Sequence, residues 1–198
     1  VRSEPDTALL LALVTLALEG WSGAIVLLLA RRRGISLADL GFRRPTSWSF
    51  VPLALLGAYG AMLAYGILIL VLERTAGVDL SAINRGNSIP TDLPRTPLIW
   101  GTLALAVIVV GPIGEELFFR ALVYRGLARY IGPGLAIVAS GFAFALVHAN
   151  LSVLLPFALV GITFAWVYRS SGSLWTTILA HAIFNGISFA FTLYGVSP

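Results

Sequence analysis

Six ionisable side chains stand inside long apolar runs: Glu19, Glu115, Glu116, Arg120, His148 and His181. A charge in hydrocarbon costs at least about 2.5 kcal/mol on insertion scales, so each of these positions is a candidate functional site. All but Glu19 lie in the second half of the chain, in three local groups. The first is Gly114-Glu115-Glu116-Leu117-Phe118-Phe119-Arg120. On a helix Glu116 and Arg120 are four residues apart and can pair, which lowers the cost of burying both. Glu115 lies about 100° round the helix from Glu116, out of register with that pair. Burial as an ion pair explains Glu116 and Arg120 but not Glu115, which adds repulsion and desolvation without adding a partner. Glu115 is therefore expected to face a cavity as a base or ligand.

The second group runs from Phe144 to His148, with Asn150 following, and sets an aromatic ring one turn before an imidazole. A lone His at a helix end is more often a cap or interface residue, so its weight comes from the company it keeps. The third group, His181 to Asn185, puts imidazole and carboxamide on one face of an apolar crossing. These are the chain's two His, and no Cys is present, so any metal must rest on imidazole and carboxylate. Two routes to hydrolysis use the same residues. Glu115, His148 and His181 could ligate zinc, leaving a fourth position for water. Alternatively, Glu115 and His148 could activate water directly, with His181 and Asn185 donating to an oxyanion. The catalytic set is thus Glu115, Glu116, Arg120, His148, His181 and Asn185.

Elements that position these groups must be membrane helices. The chain of 198 residues is 58% hydrophobic and 11% charged, with mean hydropathy +0.92, where a soluble domain carries about 25% charge. Apolar runs are predicted at about 8–30, 50–72, 97–130, 134–149, 151–168 and 174–194. That makes about six crossings of an all-α bundle, each near the length a bilayer requires. The third run is too long for one perpendicular crossing, and a kink is expected at Gly111-Pro112. One domain of 198 residues is expected, with 1–96 as an accessory helix pair and loop and 97–198 as the catalytic core. Counted at about 1.5 Å per residue from the cytoplasmic ends, Glu115 and His181 lie at similar depth, whereas His148 comes out deeper. Gly57 with Ala61 reads as close helix packing. Trp48, Trp100, Trp175 and Tyr194 read as an interfacial belt.

The thirteen basic residues are all Arg, a bias that points to a GC-rich, bacterial genome. Their clustering beside apolar runs reflects topology, and no basic stripe for nucleic acid is present. Arg31, Arg32, Arg33, Arg43, Arg44, Arg125, Arg129 and Arg169 fall on one side, against Arg2, Arg74, Arg85 and Arg95 on the other. A bacterial cytoplasmic membrane with both termini outside is expected, and 73–96 is expected to be an extracytoplasmic loop. The first apolar run is too long for a signal peptide, and since the chain opens on Val its native start is expected upstream.

Glu-Glu-x-x-x-Arg, Phe-x-x-x-His and His-x-x-x-Asn, carried by Glu115, Glu116 and Arg120, by Phe144 and His148, and by His181 and Asn185, resemble three motifs of one family. It is the type II CAAX prenyl endopeptidase and bacteriocin-processing (Abi) family of intramembrane peptidases. The resemblance covers about 112–185, in the family's order. It implies a site opening towards the cytoplasm and proteolysis of a membrane-adjacent peptide or protein, with the first Glu and both His catalytic and metal use disputed. Eukaryotic relatives trim prenylated proteins, a substrate that a bacterial source argues against. A scaffold or bacteriocin self-immunity factor of the same fold is the alternative. A proton-coupled transporter ranks last, since no repeated halves are visible.

Overall fold

The computed structural model describes residues 4–80 and 93–194. Arg2, Arg85 and half of the expected extracytoplasmic loop, 81–92, lie outside them. Among the described residues all regular structure is helical: α1 (Pro5–Arg32), α2 (Leu37–Leu40), α3 (Phe50–Ala76), α4 (Pro97–Ala104), a first π segment (Leu105–Val110), α5 (Gly111–Glu116), a second π segment (Leu117–Tyr124), α6 (Arg125–Leu146), α7 (Leu151–Ser171) and α8 (Leu174–Tyr194). Five helical runs are long and apolar enough to cross a membrane, at Pro5–Arg32, Phe50–Ala76, Pro97–Leu146, Leu151–Ser171 and Leu174–Tyr194. The 50-residue run from Pro97 doubles back at Gly132, whose φ of 77° and ψ of 160° leave the helical region, and so contributes two limbs. Its return limb lays Phe144 on Phe119 at 5.3 Å between ring centroids, and Ser140 Oγ donates to the Phe119 carbonyl at 3.3 Å. About six apolar limbs result, as the hydropathy pattern predicts.

Gly111 keeps helical angles of −57° and −59°, so the helix runs unbroken through Gly111-Pro112, where a kink is expected from the sequence. The helix absorbs Pro112 by changing register instead, with i→i−5 bonding before it, a device frequent at functional sites. The sharp break comes at Gly132-Pro133, where glycine can adopt the positive φ.

With lipid around the bundle, association rests on close packing more than on a hydrophobic drive. Two crossings use glycine for closeness. A Cβ on Gly114 would stand 2.5 Å from the Glu19 carbonyl oxygen and 2.6 Å from Ser22 Oγ, so α1 lies directly on α5. A Cβ on Gly141 would meet the Ile162 backbone nitrogen at 2.7 Å, which brings α6 equally close to α7. Gly57 likewise faces Thr163, consistent with the packing reading. Trp48, Trp175 and Tyr194 are exposed near segment ends, but Trp100 is buried, edge-on to Phe189 at 5.7 Å between centroids. Trp100 therefore belongs to the core and not to the belt; sequence position near a helix end did not reveal the ring that covers it.

At the Arg-rich end the connections are tied down by hydrogen bonds. Ser36 and Asp39 cap α2 reciprocally. Arg43 Nε donates to the Gly172 carbonyl at 2.7 Å, Leu174 N–H donates to Gly41 O at 2.8 Å, and Arg125 donates to the Asp39 carbonyl. The Arg43 and Leu174 bonds clamp the α2 loop to the α7–α8 turn, where α8 with His181 enters the bundle, and the Arg125 bond ties the same loop to α6.

Candidate functional site

Glu116 and Arg120 have no exposed side-chain surface. Arg120 Nε donates to Glu116 Oε2 at 2.8 Å and Nη2 to Oε1 at 3.3 Å, a two-pronged pair of the strong kind. Two rings screen the guanidinium: Phe144 at 5.3 Å and Phe164 at 5.9 Å from its carbon. The local sequence makes this pair possible, since the four-residue spacing keeps both groups on one side of the helix where α5 passes into the second π segment.

Glu116 also organises α8. His181 Nδ1 lies 3.1 Å from Glu116 Oε1; with the carboxylate already held by Arg120, the ring nitrogen is the donor. That bond turns Nε2 of His181 towards Glu115, whose Oε2 is 3.8 Å away. Glu115 Oε2 has no hydrogen-bond partner among the described residues. Its side chain keeps 17% exposure, against 0% for Glu116, so the two neighbours face different surroundings.

His148 reaches the same place from the opposite end of a helix. α6 stops at Leu146, and a turn through Ala149, which takes a φ of 49°, leads to Asn150. Asn150 Oδ1 accepts from Ser152 N–H at 3.0 Å and caps α7. Because the turn bends the chain, His148 folds back: its Nδ1–H donates to the Phe144 carbonyl at 2.9 Å, leaving Nε2 as the unengaged nitrogen. Phe144 touches both imidazoles, at 5.0 Å for His148 and 5.9 Å for His181 between centroids, and Phe157 stands edge-on to His148 at 4.7 Å.

A cavity of about 570 Å³ joins these groups, with Glu115, His148, His181 and Asn185 all in its wall. Glu19 is there too, and its carboxyl comes within hydrogen-bonding reach of Glu115. Spacing could not assign Glu19 to the site, because it arrives from α1. The available signals were an intramembrane acid with no basic partner on its own helix, and the small residues Gly20 and Gly23 that let α1 approach. From the site the cavity runs past Thr15 and Ala12 of α1 and Ser188 and Thr192 of α8, away from the arginine-rich end and so opposite to the cytoplasmic opening that the resemblance implies. Asn185 does not aim all of its carboxamide at the cavity: Nδ2 donates to the Val107 carbonyl at 2.9 Å.

Among the described residues, no three His, Asp or Glu side chains form a group that could hold a metal ion. Glu115, His148 and His181 line one cavity, and His181 and His148 each engage Nδ1 and leave Nε2 free.

The fold and site define a membrane-embedded helical bundle with buried carboxylates and imidazoles around an internal cavity. Residues 97–187, the segment that carries Glu115 to Asn185, match the family model for type II CAAX prenyl endopeptidase Rce1-like proteins. The chain is similar to the "Putative membrane peptidase YdiL" of Bacillus subtilis (strain 168), 36% identical over 77 residues. That stretch is 39% of this chain and 32% of the relative, so the chain matches about a third of the relative's length. No solved structure matches.

Proposed function

We propose that the protein is an intramembrane endopeptidase that hydrolyses a peptide bond in a membrane-associated protein or peptide, with Glu115 as general base. The observation that carries this reading is the contrast between two adjacent carboxylates. Glu116 is neutralised by Arg120, while Glu115 is left without a hydrogen-bond partner for Oε2 in a cavity that both imidazoles also line.

Water held between Glu115 and the free Nε2 of His148 would lose its proton as it attacks the carbonyl carbon. His181, braced by Glu116 and Arg120, presents Nε2 on the other side of Glu115, where a protonated ring can donate to the oxyanion. The same ring can pass that proton to the leaving amine. The reading is metal-independent, because it uses the two imidazoles as the geometry sets them and needs no convergence of ligands. The arginine-rich end is read as cytoplasmic, which places both termini outside a bacterial cytoplasmic membrane.

The test compares new peptide termini in membrane fractions from cells expressing wild type or Glu115→Gln at equal levels. Termini made only by wild type are expected, and a strong chelator is expected to leave their formation by purified protein unchanged. An identical set of termini, while a phenotype still depends on the protein, would instead identify a scaffold or self-immunity factor of the same fold.

A further inference from the structure

Asn185 lies one turn beyond His181 on α8, and its partner is a backbone carbonyl in a different helix: Nδ2 donates to Val107 O at 2.9 Å. Val107 is inside the first π segment, where bonds span five residues, as from Gly111 N–H to Ala106 O. The next bond of that register would run from residue 112 to Val107 O. Residue 112 is Pro, which has no N–H to give. The Val107 carbonyl is therefore the acceptor that the sequence itself leaves without a donor. Asn185 fills that place from across the bundle.

We propose that Asn185 is a positioning residue, whose carboxamide replaces the hydrogen bond missing at Pro112 and thereby fixes the α5 segment, with Glu115 three residues further on, against the His181 helix. It acts through the backbone, with one of the two Nδ2 hydrogens committed to the Val107 carbonyl. The activity readout rests on the peptidase reading; the stability readout does not.

A double-mutant cycle separates the roles, with Asn185→Ala, Pro112→Ala and their combination measured by thermal unfolding in detergent and by peptide cleavage. Asn185→Ala is expected to lower both Tm and kcat. Pro112→Ala supplies an N–H and is expected to be tolerated. In the combination the new N–H takes the Val107 carbonyl, so Tm and kcat return to within about twofold of the Pro112→Ala protein in rate. If Asn185→Ala does not accumulate as folded protein, recovery of folded protein in the combination is the same supporting result. An Asn185→Ala loss of kcat that is equal in both backgrounds, with no change in Tm, would make Asn185 an oxyanion donor and overturn the proposal. So would failure of Pro112→Ala itself, or of the combination, to fold. Coupling in Tm without any cleavage by wild type would sink the peptidase reading and leave the positioning role standing.

Discussion

On one side of α5, Glu116 meets a guanidinium, an imidazole and aromatic walls; nothing there is exposed, both of its oxygens are hydrogen-bonded, and Arg120 Nη1 is the one nitrogen of the pair without a partner among the described residues. On the other side, Glu115 meets a second acid, an imidazole nitrogen at 3.8 Å and a cavity. Burying an ion costs several kcal/mol, and only good geometry with further hydrogen bonds offsets that. The Glu116 side supplies both, so it behaves as a brace. The Glu115 side supplies neither, and its cost is explicable as reactivity kept in place by the rest of the bundle. Function in this fold is to be sought where polar groups are left incompletely partnered, and rigidity where they are satisfied.

The largest expected effect falls on chemistry alone. Glu115→Gln keeps the shape of the side chain and removes the base, so cleavage should drop by about 10²- to 10⁴-fold. Thermal unfolding should shift by no more than about 2 °C, since no hydrogen bond of Glu115 Oε2 is lost. A variant that unfolds instead would move Glu115 to the brace side and end the contrast.

The brace should fail in the opposite way. Glu116→Gln leaves Arg120 buried without its counter-ion and should cost about 3 to 5 kcal/mol, seen as loss of folded protein or a large fall in Tm. Replacing both, as Glu116→Leu with Arg120→Met, should cost less than the single change. If the double variant is as stable as wild type yet inactive, the pair exists to hold His181; if it is also active, the brace has no catalytic purpose.

Much of this arrangement is legible in the chain because it is local. A four-residue spacing places Glu116 against Arg120, and a one-residue offset turns Glu115 away; Phe144 sits under His148 for the same reason. The limits of the apolar runs came close to the helices for the same cause, with α8 matching its expected span. What the chain did not show depends on contacts between helices. Glu19 reaches the site through the close approach of Gly114 to α1. Trp100 is covered by Phe189, and Asn185 finds Val107, only once α8 has been placed. The π segments escaped because periodicity does not distinguish one bonded register from its neighbour over six or eight residues, and Pro112 suggested a kink where the helix changes register.

Glu19 arrives only because α1 and α5 almost touch, and Gly114→Ala tests that dependence. Its Cβ would fall 2.5 Å from a backbone oxygen, which cannot swing aside. A loss of about 1 to 3 kcal/mol is expected, with reduced cleavage as α1 is pushed outward. Gly60→Ala, in α3 with nothing within 4 Å of the added carbon, is the control and should change neither Tm nor rate.

The smallest effect should come from Glu19→Gln, and its sign matters more than its size. Glu19 faces Glu115 with no basic partner beside it on its own helix, so two acids must share a proton or repel. A neutral amide relieves that cost, and Tm should rise or hold, unlike any change on the brace side. The rate should still fall, by about tenfold, which corresponds to about 1.4 kcal/mol in the barrier, because the proton taken by Glu115 loses its nearest second acceptor. KM should stay the same if Glu19 contacts Glu115 and not the substrate. A lowered Tm would show that Glu19 is a structural partner of α5, whereas a raised Tm with an unchanged rate would mean that the carboxyl is near the site but takes no part in it.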